Sequence, residues 1–201
     1  MNSIERLLLD SGFSWTLSKL LPYILAVLFG AIIIVLLRKR LSRIKKLWSI
    51  LIKVVILVIP FVCYFAYAPI YEGDFSNDFQ TIERTEANAE LSGNRLYGLT
   101  IPGCPYCFDA IQRMKILKER QPDLQITYIV CTKEVANLDW YKEEAGDVIE
   151  VVLAKNSDEM IEIAEHSFPS FVLSKEGEPL KAWPNDSFGV MALDEIEALV
   201  E

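Results

Sequence analysis

Leu96-Tyr97-Gly98-Leu99-Thr100-Ile101-Pro102-Gly103-Cys104-Pro105-Tyr106-Cys107 is the stretch on which the reading of this chain turns. Its first half, Leu96 to Ile101, is a largely apolar run that predicts a buried strand. Pro102-Gly103 interrupts the run with a turn. Pro105 then suits the first turn of a helix, where its missing N–H costs nothing and its fixed φ is already helical. Ile111, Met114 and Leu117 follow at helical spacing, so a helix is predicted over Pro105 to Arg120, stopped by Gln121-Pro122-Asp123. Gln125 to Cys131, rich in β-branched and aromatic residues, is read as the next strand. Strand, helix and strand make a right-handed parallel crossover, which places both cysteines at a strand-to-helix junction.

Working outward, a helix is expected across roughly Glu134 to Ala145. An apolar stretch of unassigned type runs from Val148 to Leu153, and a short helix from about Ser157 to His166. Phe171-Val172-Leu173 and Leu180-Lys181-Ala182-Trp183 flank Lys175-Glu176-Gly177-Glu178, a hairpin by its turn chemistry. A last helix is expected from about Val190 to Val200.

Two thiols at this spacing can be half of a zinc site or a redox pair. Zinc needs further ligands, and residues 95–201 offer His166 and Cys131, neither beside a second ligand. At a helix N-terminus the first thiolate is stabilised by free amides and the helix dipole, so its pKa falls below the free value of about 8.5. Cys104 is therefore the candidate attacking nucleophile. Cys107, nearly one turn on, can reach the first sulfur from deeper in the helix and is the candidate resolving thiol.

Gly103-Cys104-Pro105-Tyr106-Cys107, with the later Phe168-Pro169-Ser170-Phe171-Val172-Leu173, resembles the thioredoxin superfamily over residues 95–201. The resemblance implies a cis Phe168–Pro169 peptide facing the cysteine pair. It also implies a substrate segment lying against Pro105, Tyr106, Phe168 and Pro169, with the Phe168 backbone pairing to it. Thioredoxin-type reductants carry a buried carboxylate six residues before the first cysteine, and Gly98 stands there instead. Pro-Tyr is the glutaredoxin dipeptide, yet no glutathione-binding residues of that family can be placed. Oxidation, reduction and isomerisation all stay open.

The first third of the chain is of another kind. Leu20 to Leu37 carries no charge and Leu47 to Ala68 a single lysine, Lys53. Either run crosses a hydrocarbon layer of about 30 Å at about 1.5 Å per residue. Glu5, Arg6, Asp10 and Lys19 give no net positive charge ahead of the first run, and Arg38-Lys39-Arg40 follows it where a signal peptide has small residues. The N-terminus is therefore expected to be retained. Arg38, Lys39, Arg40, Arg43, Lys45 and Lys46 crowd the loop between the runs, which assigns loop 38–46 to the cytoplasm and both termini to the far side. Lys53 sits near that cytoplasmic end, while Trp15, Tyr23, Tyr64, Tyr67 and Tyr71 suit an outer interfacial belt.

Charge divides the same way. Residues 1–68 hold nine Lys or Arg against two acids, 69–94 one against six, and 95–201 ten against twenty. So acidic a distal part offers no footprint for nucleic acid.

The expected organisation is a membrane anchor over 1–68 with spans at about 17–37 and 47–68. An acidic tether or short surface helix follows over 69–94, and then a thioredoxin-like α/β domain over 95–201. The expected function is an extracytoplasmic, bacterial, periplasmic thiol-disulfide oxidoreductase that needs no cofactor. It would act on protein thiols or disulfides and exchange electrons with an unidentified redox partner, the spans serving as anchor. The alternative is a module that holds a soft metal such as copper(I) with the same cysteines. Cys131 is read as a small buried hydrophobe, Cys63 as packing in the span or a lipidation site, His166 as a helix C-terminal cap or surface residue, and Trp140, Tyr141 and Trp183 as core or rim.

Overall fold

The computed structural model describes residues 1–86, 88–132, 134 and 138–200. The chain forms two compact units, Met1–Tyr71 and Glu72–Glu201.

The first unit is helical. α1 (Ser3–Asp10) was not anticipated, although its signal stands in the sequence. The Asn2 side chain accepts from the Ile4 and Glu5 amides, and Glu5 in turn accepts from the Asn2 amide, a reciprocal capping box. α2 (Trp15–Leu41) starts at the Ser14 cap, and α3 spans Lys46–Tyr67. Both are long and apolar enough to cross a membrane, with mean hydropathy 2.9 and 2.5. They are not core helices of a folded body, since only 17% and 6% of those windows are buried.

Gly30 marks where α2 and α3 pack closely, because a Cβ there would lie 2.8 Å from the Ile56 carbonyl oxygen. A polar cluster closes one end of the helix pair. Lys19 Nζ lies 3.4 Å from the Glu5 carboxylate and donates to the Pro69 carbonyl at 3.1 Å. Asn2 Nδ2 donates to the Tyr64 hydroxyl, and the Tyr23 hydroxyl donates to the Ala68 carbonyl.

The second unit is built on one six-stranded sheet of order β1-β6-β5-β2-β3-β4. β2 (Arg95–Thr100), β3 (Gln125–Val130) and β4 (Glu150–Leu153) are parallel, joined by crossovers through α4 (Pro105–Arg120) and α5 (Leu138–Ala145). β5 (Ser170–Ser174) runs antiparallel to β2, and β6 (Leu180–Trp183) returns beside it through the Gly177 turn. The unassigned stretch 148–153 thus ends in a short strand, Glu150–Leu153, paired to β3 on the sheet edge, and α7 (Val190–Val200) follows the hairpin.

Two expected helices differ at their ends. Part of the predicted start at Glu134 lies outside the described residues, and the described helix opens at Leu138. α6 (Ser157–Ile163) stops short of His166, because Glu165 and His166 take left-handed backbone conformations that cannot continue a helix.

Register assigns the two faces of the sheet. Tyr97, Val172 and Ala182 pair across one face, where Leu91, Leu99, Ile129 and Met160 complete a buried cluster. Gly98, Tyr128, Phe171 and Trp183 pair across the other. There Phe188 stacks on Phe171 with ring centroids 3.7 Å apart.

The acidic segment corrects the tether reading, for from Glu72 it is part of the folded unit. A 3-10 turn (Glu72–Phe75) leads to β1 (Gln80–Ile82), which pairs antiparallel with the edge that β6 would otherwise leave open. Arg84 then donates to the carbonyls of Leu91, Lys175 and Glu178 and to the Ser174 hydroxyl, and Leu91 is wholly buried in the core cluster. Acidic composition does not prevent this folding, because the backbone carries the β1 pairing and a single arginine stitches the segment to the β5–β6 turn.

Candidate active site

β2 delivers the chain to the site. Its last carbonyl, that of Thr100, accepts from the Cys131 amide at 2.7 Å, which fixes the end of β2 to the end of β3. Ile101, Pro102 and Gly103, the last at φ +71°, turn the chain into α4. Cys104 is the N-cap of that helix in extended conformation, and its Sγ accepts from the Cys107 amide at 3.1 Å. A sulfur therefore stands where an Asp or Ser oxygen commonly does, against an N–H that the helix leaves without an intrahelical partner.

Cys104 and Cys107 are joined as a disulfide, with Cα atoms 5.3 Å apart. Cys104 keeps 8% exposure and Cys107 none, so of the two sulfur-bearing residues Cys104 is the one with surface open to solvent. Pro105 is exposed at the first helical position, and the Tyr106 ring beside it is 66% exposed.

The Phe168–Pro169 peptide is cis. Ser170, the next residue, pairs with Leu99 near the end of β2 from which the cysteine loop departs. Pro105 and Tyr106 lie beside the disulfide through the chain itself, and Phe168 and Pro169 stand at the same end of the sheet through strand register. Pro169 is buried, and Phe168 is half-buried against the core cluster.

Gly98 has a physical reason beyond the absence of a carboxylate. A Cβ on it would lie 3.0 to 3.1 Å from three carbons of the Tyr128 ring, so the tyrosine from β3 fills that space. Tyr128 is fully buried, its hydroxyl has no hydrogen-bond partner among the described residues, and burial pushes its ionisation well above the ordinary range.

Residues assigned to core or rim from the sequence stand around the pair. Tyr141 of α5, 1% exposed, donates its hydroxyl to the Ile101 carbonyl at 2.7 Å. Its ring stacks on Phe108, immediately after Cys107, with centroids 4.8 Å apart. Burial pushes its phenol up to about 12, against the opposing effect of a hydrogen bond with the Thr100 side chain. Trp140, 67% exposed, meets Phe108 edge-on at 6.4 Å. Neither role has a local sequence signal, because both contacts join residues more than thirty positions apart.

Cys131 is buried, and burial pushes its thiol up to about 12, with the Glu90 carboxylate acting in the same sense. His166 is exposed beyond the end of α6, and Cys63 is exposed on α3. Among the described residues no group of three or more His, Cys, Asp or Glu is gathered so as to hold a metal ion.

No protein-family model matches the chain, and no curated protein matches it. Among solved structures it is similar to a secreted Mycobacterium tuberculosis disulfide oxidoreductase homologous to E. coli DsbE. Identity there is 16% and the TM-score 0.43, over 56% of this chain and 84% of that one. The thioredoxin domain of a thiol-disulfide oxidoreductase from Bacteroides vulgatus is also 16% identical with TM-score 0.43, over 66% and 99%. A SCO1/SenC family lipoprotein from Bacillus anthracis is 14% identical with TM-score 0.39, over 66% and 100%. On its own strand order, its parallel crossover carrying Cys104 and Cys107 at the helix start, and its cis Pro169 leading into β5, the second unit has a thioredoxin-like α/β fold.

Proposed function

We propose that this chain is a membrane-anchored thiol-disulfide oxidoreductase acting on protein thiols or disulfides outside the cytoplasm. The observation that carries the reading is the asymmetric disulfide: Cys104 capping α4 with 8% of its surface accessible, Cys107 wholly enclosed three residues on. In the reducing direction the Cys104 thiolate attacks one sulfur of a substrate disulfide, forming a mixed disulfide and releasing the other sulfur as a thiolate. The Cys107 thiolate then attacks Cys104 Sγ and expels the second substrate thiolate. Two electrons have passed from the pair to the substrate, and the reverse sequence oxidises a substrate dithiol.

Pro105, Tyr106, Phe168 and Pro169 form the surface on which the substrate segment lies. Tyr106 supplies exposed apolar area, and the Phe168 backbone pairs with extended chain. α2 and α3 act as the anchor. The six basic residues of 38–46 keep that loop cytoplasmic, so both the N-terminus and the thioredoxin-like unit face the periplasmic side.

Cys107→Ala tests the chemistry, since it stops the sequence at its intermediate. The full chain with Cys107→Ala accumulates mixed disulfides with model disulfide substrates through Cys104, the other substrate sulfur leaving as a thiolate, and Cys104→Ala accumulates none. Equal trapping by the two variants would overturn the role assignment. Labelling of reduced Cys104 in intact cells by a membrane-impermeant thiol reagent tests sidedness, and labelling only after lysis would place the unit in the cytoplasm.

A further inference from the structure

The cysteine loop needs something to hold it. Between Thr100, fixed by the Cys131 amide, and Cys104, fixed by its cap on α4, lie Ile101, Pro102 and Gly103. Proline has no N–H to donate, and glycine has the widest backbone freedom. The placement of Cys104 Sγ at the helix N-terminus depends on where these three residues run.

We propose that Tyr141 is a positioning residue of the redox pair, clamping the chain on both sides of the cysteines and so holding Cys104 Sγ against the first amides of α4. The clamp has two arms. The Tyr141 hydroxyl donates to the Ile101 carbonyl at 2.7 Å, three residues before Cys104. The Tyr141 ring stacks on Phe108, one residue after Cys107, at 4.8 Å and 23°. The tyrosine is itself fixed: it is 1% exposed, and its helix is seated by buried Leu138 and Ala145 and tied to α4 by a hydrogen bond between Gln112 and Glu144. Because burial keeps the phenol protonated to about pH 12, it donates throughout the neutral range. α5 is thereby more than a crossover, for it sets the reactivity of the pair. The inference rests on the redox reading above.

The consequence falls on the reduced state. Cys104 is charged as a thiolate and neutral in the disulfide, so loosening its seat on the amides weakens the thiolate and leaves the disulfide unaffected. In the full chain in detergent micelles, Tyr141→Phe removes the hydroxyl arm and keeps the ring. Loss of one hydrogen bond's ordering lowers the alkylation rate of reduced Cys104 by iodoacetamide at neutral pH about three- to tenfold. The equilibrium against glutathione buffers shifts toward the disulfide by the same factor, a potential more negative by up to about 30 mV. Phe108→Leu removes the other arm, leaves the hydroxyl bond, and moves both readouts in the same direction.

Unchanged alkylation and unchanged equilibrium in folded Tyr141→Phe overturn the proposal. Should that variant fail to fold, Phe108→Leu decides on the same criterion. If the wild-type pair forms no reversible disulfide with glutathione, the oxidoreductase reading falls. The alkylation comparison then still decides whether Tyr141 positions Cys104.

Discussion

Gly98→Ala is a one-methyl change whose effect can be worked from the packing. The added carbon would sit 3.0 Å from Cε2 and 3.1 Å from Cδ2 and Cζ of Tyr128. Comfortable carbon contacts lie at about 3.5–4.0 Å, so several tenths of an ångström must be found at three atoms together. The ring has nowhere to go, being fully buried with Phe171 edge-on at 6.4 Å and Tyr141 tilted at 6.5 Å. Overpacking of this kind costs about 1–3 kcal/mol. Gly98 has no left-handed backbone to defend, so alanine also gains about 0.4–1 kcal/mol by restricting the unfolded chain. A net loss of about 1–2 kcal/mol is expected. The assay is urea denaturation of the full chain in detergent micelles, followed by near-ultraviolet circular dichroism of the aromatic cluster. In a Tyr128→Leu background, where the ring is gone, the Gly98→Ala penalty should shrink or change sign, a coupling of about 1 kcal/mol or more. Gly98→Ala as stable as wild type, or a penalty unchanged beside Tyr128→Leu, would refute the steric account of this glycine.

The Tyr128 hydroxyl is buried without a partner among the described residues, so Tyr128→Phe is expected to stabilise the fold by roughly 1 kcal/mol, read from the same urea midpoint. Arg84→Ala removes hydrogen bonds to Leu91, Ser174, Lys175 and Glu178, and should cost about 1–3 kcal/mol and speed proteolytic cleavage between Glu83 and Asn94. Alkaline stability follows from Cys131 and Tyr141, whose folded ionisations are both pushed up to about 12. The folded state binds these protons more tightly than the unfolded, so their contribution is complete below pH 9 and is lost as pH rises toward 12. Each group adds a slope of about 1.4 kcal/mol per pH unit within its window, and Cys131→Val should flatten the measured pH dependence by one such increment.

The sequence made the crossover legible because its signals are local and concordant. The Leu96–Ile101 run, the Pro102-Gly103 break and Pro105 in a helical first turn agree with one another, and Cys104 falls at the cap as a consequence. The cis Pro169 came through resemblance alone, since nothing in Phe168-Pro169-Ser170 by itself distinguishes it from an ordinary proline at a strand start.

Where sequence reading stopped, the determinants are distant or weak. β1 has three residues, two of them exposed, and exists because β6 presents an edge for it. β4 is a half-buried edge strand without clean alternation. α1 was missed although Asn2 and Glu5 stand at capping-box spacing. The Tyr141 clamp could not have been read at all, since its hydrogen bond to Ile101 spans forty positions.

The most direct measurement of the central claim is a redox titration of the full chain in detergent micelles against glutathione buffers, with metal content determined on the reduced protein. The oxidoreductase assignment predicts a reversible two-electron transition for the Cys104–Cys107 pair, abolished by Cys104→Ala. A midpoint near about −120 mV would mark an oxidant of folding proteins, and one near about −270 mV a reductant. No reversible disulfide at any poise, together with stoichiometric metal on the reduced protein, would contradict the assignment and make the pair a metal-binding site.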